Sequence, residues 1–407
     1  MIPFSLPFID KDVVNEVNDC LLNTGWLTSG PKVIEFECEI KKYTQAKSVV
    51  CVNSWTSGAM LMLRWFGVGP GDEVIIPSYT YAATAMCILN IGAQPIMVDV
   101  RDDFTIDPEK LDGAITDKTK VIIPVDIGGL PCDYKSINEI VKLEPVRKLF
   151  RPNSLKQEKL KRILVLSDAA HSIGGTYRGE MVGKLTDSTV FSFHSVKNIT
   201  TGEGGAVCLN LPQSFDCQEE YKHLKSLSLN GQNKSAFEKS KPGSWRYDII
   251  DQGLKVNMPD ICAAIGLSQI RVYKSSLLPE RKNIFKYYNN FFNDFNWAIT
   301  PTSKNQTCES SYHLYMLRLD GVTEIQRDQI IDKISSMGVG VNVHYLPLPM
   351  LTLFKKLGFD LREHPISSEL FKNEITLPVY NGLSEKNLHK VCQSVVDAYD
   401  VIISNKI

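Results

Sequence analysis

From about residue 45 the chain alternates short β-branched runs with amphipathic stretches, a rhythm that restricts the fold more than any other feature. The runs at 48–52, 73–77, 95–100, 120–126 and 162–167 are compact and apolar, as strands buried on both faces must be. Between them, 57–66, 82–89 and 134–141 have helical spacing. Strand–helix alternation predicts an α/β fold with a mostly parallel central sheet flanked by helices, where ligands gather at the carboxyl ends of the strands. A Pro- and Gly-bearing stretch at 239–245 interrupts the rhythm. Beyond it, 260–273 and 279–292 read as helices, and a second α/β segment follows at 313–319, 325–337, 341–345 and 387–402. The expected division is a large domain over 1–245, N-terminal segment included, and a small C-terminal domain over 246–407 that includes the connecting helix.

Bulk properties remove several classes of function. Hydrophobic residues make up 43% and charged residues 22%, as in an ordinary globular protein. A formal net charge of -1 offers no electrostatic attraction to nucleic acid or to a membrane surface. The 10 cysteines are scattered without a Cys-x-x-Cys pair or a Cys/His cluster, which points to reduced thiols and no metal. MIPFSLPFIDKD lacks the basic and long apolar parts of a signal peptide, and no run approaches the ~18 apolar residues of a membrane helix. The expectation is a cytoplasmic protein. Residues 147–162 carry seven basic side chains against the single acid Glu158, a run that reads as a solvated surface insertion.

Two segments carry chemistry. Lys197 follows a strand-like run at 189–193 and precedes Thr200-Thr201-Gly202-Glu203-Gly204-Gly205, small residues that leave room for a ligand. Asp168 closes the run at 162–167 and precedes Ala169-Ala170-His171. A lysine able to form an imine and a carboxylate able to keep a ring nitrogen protonated are the two groups that pyridoxal 5′-phosphate (PLP) requires. The plainer reading of Asp168 is a helix N-cap after a strand. Asn53-Ser54-Trp55-Thr56-Ser57-Gly58-Ala59 opens a helix, and its N–H groups and hydroxyls suit a phosphate or simply cap the helix. Ser192 lies within reach of the same phosphate, and Tyr81 either stacks on the ring or belongs to the core.

These segments, together with Gly25-Trp26-Leu27-Thr28-Ser29-Gly30-Pro31, Leu254-Lys255-Val256-Asn257 and Val343-His344-Tyr345-Leu346-Pro347, resemble the DegT/DnrJ/EryC1/StrS family of PLP-dependent nucleotide-sugar aminotransferases. The likeness runs nearly end to end and implies the fold-type I architecture of the aspartate aminotransferase superfamily. It implies that Lys197 forms the imine with the cofactor and that Asp168 binds its ring nitrogen. His171 falls beside the ring hydroxyl, Thr56, Ser57 and Ser192 at the phosphate, and Tyr81 against the ring. Asn257 matches a residue that reaches the neighbouring subunit's cofactor, implying a homodimer with shared sites. Thr28, His194, His313, His344 and Tyr345 fall in segments on the sugar-nucleotide side. The implied reactants are L-glutamate and a keto sugar on a nucleoside diphosphate. Where many relatives have His-x-Tyr-Gly, this chain has Asp126-Ile127-Gly128-Gly129. The Lys197 loop is similar to that of members acting on 4-keto sugars, and Trp245-Arg246-Tyr247 to that of enzymes for UDP-4-keto-6-deoxy-HexNAc. Alternatives on the same scaffold are a 3-keto-sugar aminotransferase and a PLP-dependent sugar dehydratase, known versions of which have histidine in place of the lysine.

Overall fold

The computed structural model describes residues 1–240 and 242–403. Seven strands form the main sheet: β1 (Ser48–Val52), β2 (Glu73–Pro77), β3 (Gln94–Val98), β4 (Thr119–Ile122), β5 (Leu164–Asp168), β6 (Ser188–Ser192) and β7 (Gly205–Leu209). Their spatial order is β1-β7-β6-β5-β4-β2-β3. β3, β2, β4, β5 and β6 run parallel, and β7 is antiparallel to both its neighbours. The expected apolar runs are therefore strands. Those at 95–100 and 120–126 stop early because the chain turns away at the carboxyl edge, where Asp126 has other partners.

Helices α1 (Pro31–Thr44), α2 (Trp55–Trp65), α3 (Ala83–Leu89), α4 (Tyr134–Ile140) and α5 (Asp260–Val272) pack around the sheet. Val50, Met62, Ile75, Ile122, Val165 and Leu209 belong to one buried cluster, and Phe36, Ile40, Cys51, Phe191, Ala263 and Leu267 to a second. Asp260, the first residue of α5, caps α1: its carboxylate accepts from the backbone N–H of Gly30 (2.7 Å), Lys32 (3.1 Å) and Val33 (3.0 Å). A separate core surrounds α6 (Leu278–Phe292), α7 (Glu324–Ser336), α8 (Glu385–Ile403) and a sheet of β8 (Ala298–Ile299), β9 (Tyr315–Leu319) and β10 (Glu374–Leu377). Tyr79, Val125, Ile127, Leu314 and Phe371 join the two parts.

Two sequence expectations are corrected here. Residues 341–345 form no strand; Asn342 makes one bridge to Thr376, and the third strand of the small sheet is β10 instead. The basic run is also not merely solvated. Lys156 pairs with Glu220 (2.6 Å), which also accepts from Trp65 Nε1 (2.8 Å), and Arg162 makes a bidentate pair with Asp187 (2.6 and 2.7 Å). Buried Gln157 donates to Phe66 O (3.0 Å). Arg147, Lys148, Arg151, Lys159 and Lys161 keep exposed side chains, so two of the seven basic residues are structural and five are surface. Among the described residues no helix is long and apolar enough to cross a membrane.

Candidate active site

The strands β1, β2, β4, β5 and β6 all end at one edge of the sheet, and β7 begins there. A cavity of about 470 Å³ opens at this edge, with Thr56, Tyr81, Asp168, His171, Ser192 and Lys197 in its wall and His194, His344 and Tyr345 also lining it. That volume suits a small cofactor with part of a substrate. A wider cleft of about 540 Å³ beside Arg101 and Arg318 contains no lysine, histidine or cysteine, so the reactive groups concentrate in the smaller cavity.

Lys197 sits in the connection from β6 to β7. Its N–H donates to His194 O (2.9 Å), making a turn, and Thr201 N–H returns to Phe193 O (2.8 Å). Asn198 donates through Nδ2 to Tyr273 OH (3.0 Å) and Ser311 O (2.9 Å). Gln269 of α5 holds Thr200 by both backbone groups (3.0 and 3.1 Å). The loop is thus fixed on both sides of the lysine. Burial pulls the Lys197 amine down to about 8, against the opposing pull of Asp168.

Asp168 ends β5. Its Oδ1 accepts from Ala170 N–H (3.2 Å), the capping contact expected of such an Asp, and its Oδ2 accepts from Thr84 Oγ1 of α3 (2.9 Å). Burial pushes its carboxyl up to about 7, with Thr84 and Lys197 opposing. Behind it, Asp126 accepts from Ser172 Oγ (2.6 Å), Tyr134 OH (2.6 Å) and Cys132 N–H (2.9 Å), tying β4, β5 and α4 together. Burial raises its carboxyl to about 6.

His171, His313 and His344 are neutral. His171 Nδ1 accepts from Gly128 N–H (3.2 Å), which leaves the proton on Nε2, 3.2 Å from Tyr345 OH. His313 Nδ1 lies 2.8 Å from Asn198 Oδ1 and donates to it, its ring 4.5 Å from that of His171. Burial and the Lys197 charge hold both well below the usual range, and His344 at about 3. Tyr81 is 61% exposed and lies 5.6 Å from the Tyr345 ring.

Some sequence-selected residues lie elsewhere. Ser57 does not line the cavity; its N–H and Oγ are bonded to the N-cap Ser54 (3.1 and 2.9 Å). His313 is buried behind His171. Thr28 is exposed away from the cavity, and Asn257 donates to Ser29 Oγ (2.7 Å) beside a separate groove. Sequence reasoning passed over Thr84, Asp126, Asn198 and Trp55. Thr84 had a signal: Thr80 and Thr84 are four apart at a helix start, and they do meet (2.9 Å).

PLP fits this donor set. An unusually acidic amine and a buried carboxyl lie within electrostatic reach of each other. At the wall formed by the start of α2, the first N–H groups lack intrahelical acceptors and Trp55 Nε1 is buried without a partner. Lys197, Asp168, Thr56 and Ser192 all line this one cavity.

The comparisons agree with this geometry. The model of the DegT/DnrJ/EryC1/StrS aminotransferase family matches residues 7–147 and 153–396, and the break falls inside the basic run. The candidate sugar aminotransferase Spr1654 of Streptococcus pneumoniae, in its PMP-form, is 42% identical with a TM-score of 0.94 over 99% of this chain and 100% of that one. Its PLP-form superposes at 0.93. The spore coat polysaccharide biosynthesis protein SpsC of Bacillus subtilis is 34% identical over 97% of this chain and 96% of its own. The UDP-4-amino-4-deoxy-L-arabinose–oxoglutarate aminotransferase of Shewanella sediminis is 30% identical over 100% and 99%. This chain belongs to the DegT/DnrJ/EryC1/StrS family and is a PLP-dependent aminotransferase of fold-type I.

Proposed function

We propose that the protein transfers the amino group of L-glutamate to C4 of a keto sugar carried on UDP, of the 4-keto-6-deoxy-HexNAc type, for a surface polysaccharide or related glycan. The observation that carries this reading is a single cavity holding the Lys197 amine, the Asp168 carboxyl and a lining of neutral polar groups. The names of the Bacillus and Shewanella relatives support the glycan, the nucleotide and the 4-position.

PLP supplies an aldehyde for imine formation and a ring that withdraws electrons from the carbon losing a proton. Burial lowers the Lys197 amine to about 8, so its neutral form is far more accessible at neutral pH than that of an ordinary lysine. Lys197 Nζ takes the proton from the glutamate carbon that loses nitrogen and, in the second half-reaction, gives one to the sugar carbon that gains it. Asp168, with Thr84 donating to its Oδ2, would hold a proton on the cofactor's ring nitrogen. Thr56, Ser192 and the N-terminus of α2 bind phosphate, and Tyr81 covers the ring. His171 orients the ring hydroxyl, while His194, His344 and Tyr345 face the sugar. Water is excluded once Tyr81, now exposed, is covered.

A second copy supplies that cover in this reading. Trp245 (69%), Tyr247 (55%), Ile249 (53%) and Ile250 (56%) are exposed apolar side chains in one segment. Thr28 and Asn257, outside this cavity, are then positioned for the partner's site. Purified protein, glutamate and a panel of nucleotide keto sugars, followed by mass detection, test the proposal. A UDP-linked 4-amino sugar with equimolar 2-oxoglutarate is expected; amination of only 3-keto substrates, or dehydration without oxoglutarate, overturns it.

A further inference from the structure

His344 lines the cavity through a ring whose second nitrogen is engaged from behind. Nδ1 lies 3.0 Å from Thr376 Oγ1, and Thr376 Oγ1 is hydrogen bonded to Glu374 Oε1. The other carboxyl oxygen, Oε2, accepts from the backbone N–H of His344 itself (3.0 Å). Glu374 and Thr376 stand two apart on β10, so both side chains emerge from the same face of that strand. Glu374 and Thr376 are wholly buried, and the aminotransferase reaction gives neither a role.

We propose that Glu374 is a positioning residue that sets, through Thr376, which ring nitrogen of His344 carries the proton facing the acceptor substrate. A neutral Glu374 donates to Thr376, Thr376 donates to Nδ1, and His344 then presents Nε2–H to the cavity as a donor. An ionised Glu374 reverses both bonds: Thr376 donates to the carboxylate, Nδ1–H donates to Thr376, and Nε2 becomes an acceptor. No heavy atom moves, yet the group facing a carbonyl or hydroxyl of the sugar changes from donor to acceptor.

The groups around the carboxyl favour the neutral state. Burial raises it to about 8, and the hydroxyl of Tyr79, beyond β2, is buried without a partner and adds no donor. Arg327 of α7 is the nearest cation, but its Nη1 bonds to the main-chain carbonyls of Phe371 (2.8 Å) and Glu374 (3.0 Å), and its Nε to Asp328 (2.7 Å). On the far side of His344 lie the Phe4 ring at 5.3 Å, Tyr345, and the charge of Lys197; His171 and His313 are neutral.

The inference rests on the proposed placement of His344 against the acceptor, and its test separates the two. Holoenzyme labelled with 15N-histidine reports the tautomer without any sugar; the chain has seven histidines, and the signal missing from His344→Gln identifies the one in question. In the wild type the proton should sit on Nε2 below about pH 8 and move to Nδ1 above it, following Glu374. Glu374→Gln, whose amide donates at every pH, should lock Nε2–H and abolish the change. Thr376→Val should lose the preference and raise KM for the sugar about tenfold, with the glutamate half-reaction unchanged, and Thr376→Ser should restore both. A His344 tautomer indifferent to pH and to Thr376→Val overturns the proposal. So does a tautomer that responds while the sugar KM stays fixed, and that result removes His344 from the substrate without touching the aminotransferase assignment.

Discussion

Thr84 shows how one hydroxyl bears on the central carboxyl. It donates to Asp168 Oδ2, a bond that favours the ionised carboxylate against a burial that raises it to about 7. Thr84→Val removes the donor at nearly constant volume. A hydrogen bond to a buried charge is worth roughly 1.5–3 kcal/mol, so turnover should fall about ten- to hundredfold while the chain stays folded. Steady-state kinetics check this, and an unchanged kcat would show that Thr84 does not support Asp168. Lys197 and Asp168 were legible in the sequence because each is a single ionisable group at the end of an apolar run. Gln269 was not, and Thr84 showed only its spacing from Thr80, because hydroxyls and amides are common on helices and the partners of Thr84 and Gln269 lie 84 and 69 residues away.

The Lys197 loop depends on α5 as an element. Gln269 is buried and satisfies both backbone groups of Thr200. Gln269→Ala leaves that pair unsatisfied, at a cost of roughly 1–3 kcal/mol. Amide exchange at 198–202 should speed up by about tenfold or more while the α5 amides remain protected; equal protection in the variant would contradict this anchoring. The main-sheet strands other than β7 were readable because strands buried on both faces are apolar throughout; β7, which follows the small-residue run at 200–205, was not read as a strand. The segment 341–345 misled for a related reason: Val341, Val343 and Tyr345 alternate as a strand would, but only Asn342 pairs, and the chain instead delivers His344 and Tyr345 to the cavity. β10 was hidden by Glu374 and Thr376, polar residues in a strand that is wholly buried. The basic run misled because charge alone does not reveal that Glu220 and Asp187 wait for two of its side chains.

At the scale of the whole molecule, three buried acids tie stability to pH. Asp126, Asp168 and Glu374 are raised to about 6, 7 and 8, so between pH 5 and their folded values the folded chain keeps protons that the unfolded chain has released. The contribution of these acids to the stability of the cofactor-free protein should therefore fall as pH rises from 5 to 8, while the buried neutral His171, His313 and His344 add stability as pH rises toward the unfolded imidazole value of about 6.5. Lys197 has a sense opposite to the acids: lowered to about 8, it costs stability at every pH below that and recovers it from 8 to 10.5. Urea unfolding of wild type and Asp168→Asn, compared at each pH, should show the variant gaining on the wild type between pH 5 and 8; a difference that stays constant over that range contradicts the burial assigned to Asp168. The account as a whole turns on the amine of Lys197 acting on PLP over the carboxyl of Asp168. Its most direct test is the visible spectrum of purified protein loaded with PLP and titrated with L-glutamate, read alongside 2-oxoglutarate release. The wild type should bleach its long-wavelength band and release one oxoglutarate per site, and Lys197→Ala should lose at least ~10³-fold in the rate of that step. A Lys197→Ala protein that bleaches and releases oxoglutarate at the wild-type rate would contradict the account.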